Sequence, residues 1–63
     1  MNEDVNVIKN CIESSEGILY KRCEQLRELI FMDNYDPAIV MNLASDIKLI
    51  SEIIIAQTNK LMK

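Results

Sequence analysis

Histidine is absent from this chain, glycine and proline occur once each, and cysteine occurs twice. Each shortage removes a class of structure or chemistry. Without histidine there is no Glu-x-x-His pair, no Cys–His couple and no imidazole to complete a zinc site. One Gly and one Pro in 63 residues are too few for the turns of an all-β domain, and an apolar content of 49% is too high for disorder. Two cysteines do not make a disulfide scaffold. Long apolar runs are also missing. Ile53-Ile54-Ile55-Ala56 is the longest, against the ~20 residues needed to span a bilayer, so no membrane insertion is expected. Basic charge is scarce as well: seven Lys and Arg stand against ten Asp and Glu, for a net charge of −3 and no basic cluster. Binding to nucleic acid or to an anionic membrane surface rests on Lys and Arg, and neither is expected here. The start, Met1-Asn2-Glu3-Asp4, lacks the basic and apolar regions of a secretory signal, which predicts a cytoplasmic location.

What the chain does contain is helical periodicity in two arms, which predicts an all-α fold, an antiparallel helical hairpin forming a single domain over residues 1–63. The first helix is expected from about residue 3 to 32, the turn at 33–36 and the second helix from about 37 to 62. In the first arm Val5, Ile12, Leu19 and Leu26 recur at sevens, with Ile8, Cys23, Leu29 and Ile30 in neighbouring rows. Asn2 is the expected cap, with Glu3 and Asp4 favourably placed on the helix dipole. Ser14-Ser15-Glu16-Gly17 is the weak point of this arm. Gly17 costs about 1 kcal/mol relative to Ala in a helix interior, and Ser15 occupies the apolar stripe. A continuous helix is favoured, because no capping box or Pro marks a restart. A break there would give a short extra N-terminal helix followed by the hairpin.

Asp33-Asn34-Tyr35-Asp36-Pro37 separates the arms. Asp36 reads as an N-cap and Pro37 as the first helical residue, where its missing N–H costs nothing. In the second arm Val40, Ile47, Ile54 and Leu61 recur at sevens, with Leu43 and Ile50 in the next row and Gln57 ending it. Lys60 and Lys63 suit the C-terminal end of its dipole. The three consecutive isoleucines could form a strand, but they lie inside a long heptad run without turn residues.

No catalytic, cofactor-binding or metal-binding residues are assigned, and the chain is not expected to be an enzyme. The carboxylates are scattered over polar faces. Ser14 and Ser15 beside Gly17 have no base and form no nucleophile elbow. Lys21, Arg22 and Arg27 alternate with Glu24 and Glu28, as expected for helix-surface ion pairs. Cys11 and Cys23 are read as small buried apolar residues. On one continuous helix they are separated by roughly 18 Å, beyond the reach of a disulfide.

The second arm carries apolar residues beyond its seam: Ile39, Met41, Leu49, Ile53, Ile55 and Met62. Two helices meeting along one seam make a single layer, whereas a domain needs at least two. The surplus predicts coverage by a protein partner or by self-association, with a four-helix bundle of two hairpins as the simplest closed form. Leu49, Ile53 and Ile55 are the expected partner-facing residues, with Ile39 and Met41 extending the patch. The same residues would otherwise close a homodimer core.

A family resemblance adds to this. Cys23-Glu24-Gln25-Leu26-Arg27-Glu28-Leu29-Ile30 before the turn, Asp36-Pro37 at it, and Leu49-Ile50-Ser51-Glu52-Ile53-Ile54-Ile55 after it resemble the small E-component cochaperones of bacterial type III secretion systems. The resemblance covers most of the chain and is one of size and periodicity. It implies a cytosolic hairpin that, with a second helical-repeat chaperone, keeps the needle subunit from polymerising before export. Asp36-Pro37-Ala38-Ile39-Val40 also resembles the turn of the needle subunits, although the second arm here is shorter and the first lacks their disordered lead. A needle or rod subunit is thus the alternative, and a small homodimeric helical-bundle regulator a third.

Overall fold

The computed structural model of the chain describes residues 4–62. Two α-helices, α1 (Val5–Ile30) and α2 (Pro37–Leu61), run antiparallel and pack against each other; there is no strand among the described residues. Each helix starts on an aspartate. Asp4 is extended, and its Oδ1 accepts a hydrogen bond from the Asn6 backbone N–H at 2.8 Å. The capping role expected of Asn2 thus falls to Asp4, whose side chain serves the free N–H groups directly. Asn2 and Glu3 lie outside the described residues. At the second start, Asp36 Oδ1 accepts from the Ala38 N–H at 2.9 Å, and Pro37 opens the helix as its sequence position predicts.

The helices are shorter than the periodicity suggested. α1 stops at Ile30 rather than near residue 32, and the Met32 N–H reaches back to the Leu29 carbonyl at 3.1 Å in a tighter final turn. The connection therefore occupies residues 31–36. Its capping residue, Phe31, is right-handed, and no described residue has positive φ. The turn closes without any left-handed residue, so it has no need of glycine.

α1 passes through Gly17 unbroken. Helix propensity at one residue costs about 1 kcal/mol, less than abandoning the helical hydrogen bonds and packing of the turns on either side.

The seam follows a strict three-four alternation. On α2 the half-buried residues are Val40, Leu43, Ile47, Ile50, Ile54, Gln57 and Leu61, with Ser51 beside them. On α1 the matching rows are Ile8, Ile12, Ser15, Leu19, Arg22, Leu26 and Leu29. Val5, at the end of that stripe, is exposed. Among the described residues only Ile8 is fully buried, at 4% exposure. The molecule measures 51 × 15 × 13 Å. Its smallest dimension is about the diameter of one helix with its side chains, ~10–12 Å: the hairpin is a single layer with a seam but no enclosed core.

Candidate functional site

Arg22 and Asp46 mark how the helices face each other. Arg22 occupies a seam row, yet its long side chain leaves the seam at the edge. There Nη1 donates to Gln25 Oε1 at 2.9 Å, and Nε lies 3.9 Å from Asp46 Oδ2. Both side chains are substantially solvated, at 41% and 55% exposure, and such a pair contributes at most about 1 kcal/mol. Arg22, expected to take part in ion pairs along the surface of α1, pairs instead across the hairpin. One heptad further from the turn, the same antiparallel register sets Ser15 level with Ile53 and Ile54.

A two-helix layer has two broad faces. Each helix advances about 100° per residue, so positions on α2 sort by angle from the seam. Ile39, Leu49 and Ile53 fall on one side of it; Met41 and Ile55 fall on the other. On α1 and the residues just after it, Val7, Ile18 and Met32 flank one side, while Tyr20, Cys23, Ile30 and Phe31 flank the other. Because the helices are antiparallel, the flanks combine in a fixed way. A shallow groove near the turn joins Gln25, Glu28, Leu29 and Met32 of the first arm to Ile39 and Leu43 of the second. It marks the first face, made of Val7, Ile18 and Met32 with Ile39, Leu49 and Ile53. The second face holds Tyr20, Cys23, Ile30 and Phe31 with Met41 and Ile55.

All of these large apolar residues are exposed, Phe31 and Met41 to 70% or more. The five residues predicted as partner-facing, Ile39, Met41, Leu49, Ile53 and Ile55, are therefore all accessible, but the helix does not gather them into one patch. Three lie on the first face and two on the second. Tyr20 and Phe31 of the second face stand off the heptad rows of the first arm, and Ile30, expected in a row beside the seam, is exposed.

The second face also carries shallow depressions along α1, one lined by Tyr20, Cys23, Glu24, Arg27, Glu28 and Phe31, the next by Cys23, Leu26, Arg27, Ile30 and Phe31. Cys23 is exposed there as a free thiol, and Cys11 is half-buried and free. The expectation of two buried cysteines fails at Cys23: it stands beside the seam row rather than in it, and no second layer covers that side. Among the described residues no group of His, Cys, Asp and Glu could hold a metal ion, and no helix is long and apolar enough to cross a membrane. Comparison with known protein families, with curated proteins and with solved structures finds no match.

Proposed function

We propose that the chain is a non-enzymatic interaction protein that acts by laying an apolar helical face against a protein partner. One observation carries this reading: a two-helix layer with a single fully buried residue among those described exposes isoleucine, leucine, methionine and aromatic side chains on both broad faces. Contiguous exposed apolar surface of this kind marks protein–protein contact sites. Aromatic, Met and Arg side chains, as on the second face, are the types enriched where partners meet.

The resemblance described above supplies the specific form of the proposal. The hairpin is a cytoplasmic cochaperone for type III secretion, which with a second chaperone covers a needle subunit until export. The mechanism is exclusion: the subunit's polymerising helix cannot meet another copy while it is docked against the hairpin.

Ile53 and Ile55 lie on opposite faces, so single substitutions separate the surfaces. In a pull-down with a co-expressed chaperone and needle subunit, Ile53→Asp combined with Ile55→Asp should abolish capture, and the single variant that reduces it identifies the docking face. Wild-type capture by the double variant would exclude these faces as the docking surface.

A further inference from the structure

We infer that the face carrying Ile18, Leu49 and Ile53 is covered by a second copy of this chain, so that two hairpins close a four-helix bundle and leave the Tyr20–Phe31 face outward. This deepens the interaction reading, since it assigns an occupant to one of the two faces on which that reading rests.

The first argument is area. The chain exposes 5250 Å², whereas a compact monomer of its 7.3 kDa would expose about 4,200 Å². The excess is roughly 1,000 Å², slightly more than the ~800 Å² that each partner contributes to a standard interface. The radius of gyration agrees: it is 14.8 Å, against about 10.6 Å for a compact chain of this length. One layer stacked on a copy of itself supplies the missing second layer.

The second argument is charge. Identical chains of net charge −3 associate through a two-fold contact, which sets each patch against itself or its near neighbours. The contact must therefore cancel its charges locally. At the centre of the first face Asp46 already faces Arg22 at 3.9 Å, Ser14 and Asn42 nearby are neutral, and Lys21, Glu28 and Lys60 supply both signs further out. The second face carries both signs, with Glu13, Glu16 and Glu24 beside Lys9 and Arg27 on α1 and Lys48 on α2, so charge permits either face to meet its copy and the choice between them rests on position.

The third argument is position. Ile18 lies at the middle of α1 (Val5–Ile30), and Leu49 at the middle of α2 (Pro37–Leu61). A two-fold axis through the centre of this face packs these residues against their own copies and engages the full length of both helices.

The test is the mass of the purified chain, by light scattering and sedimentation equilibrium. The wild type is expected at twice 7.3 kDa. Leu49→Glu with Ile53→Glu should weaken the dimer at least roughly a hundredfold, as loss of a central hot spot does. Met41→Glu with Ile55→Glu, on the other face, should leave it within a few-fold. If the first variant fails to fold, the wild type alone decides. The melting temperature of an obligate dimer rises with protein concentration; one that is constant over a hundredfold range would overturn the inference. A dimer lost only in the Met41/Ile55 variant would also overturn it, by placing the contact on the opposite face. A wild-type monomer that still captures a heterologous partner would end this inference while leaving the proposed function standing.

Discussion

At the scale of single residues, the two aspartate caps and Gly17 have opposite relations to the fold. Asp4 and Asp36 each turn a carboxylate oxygen onto a backbone N–H two residues on, at 2.8 and 2.9 Å. Each removes a donor that the helix start leaves unsatisfied. Gly17 does nothing comparable. It is helical, lies in the middle of α1, and a Cβ added to it would meet no other atom within 4 Å. Its backbone freedom is therefore an unrecovered entropic cost. Gly17→Ala should stabilise the protein by about 1 kcal/mol. For a domain of this size that is a rise in melting temperature of about 4–8 °C. Thermal unfolding followed by circular dichroism reads this directly, and a fall in melting temperature would mean that Gly17 is held by a close approach from another chain.

At the scale of the helices, the seam was legible where the side chains agree with their positions. Every heptad position of α2 from Val40 to Leu61 is apolar except Gln57, and each is half-buried as the pattern predicts. On α1 the pattern is interrupted by Ser15 and Arg22, and there the sequence misleads. A guanidinium reads as surface, yet Arg22 holds a seam row because its flexible stem lets the charge reach Asp46 at the edge. Cys23 reads as core, but it stands one position beyond that row and is exposed. The five residues expected to face a partner divide between the two faces for a related reason: the face each occupies depends on its angle around α2, not on its distance along it. Ser15 itself offers a test. It is half-buried and level with Ile53 and Ile54. Ser15→Leu would place an apolar side chain in the row and remove a residue that competes for backbone hydrogen bonds. The expected gain is about 1 kcal/mol, from partial burial of the new side chain. Chemical denaturation should show a higher midpoint; a lower one would mean that the seam at this level is too tight for leucine.

For the whole molecule, electrostatics and apolar surface make opposing demands. The hairpin is a layer one helix thick with 5250 Å² exposed and a net charge of −3. Apolar coverage drives it towards a second layer, and charge drives identical copies apart. Salt distinguishes the two contributions. At 0.01 M ionic strength the Debye length is about 30 Å, so a copy feels the net charge of its neighbour; at 1 M it is about 3 Å, and the repulsion is screened. An interface that closes on Ile18, Leu49 and Ile53, with Arg22 and Asp46 paired inside each chain, has few cross-chain ion pairs to lose. Raising sodium chloride across this range should therefore tighten the dimer, with the dissociation constant falling severalfold in sedimentation equilibrium. An acidic chain bound to a basic partner must behave in the opposite way, because its favourable attraction is what the salt screens. If self-association weakens as salt rises, ion pairs across the interface hold the copies together, and the second face, where Glu13 and Glu16 stand with Arg27, becomes the surface on which they meet.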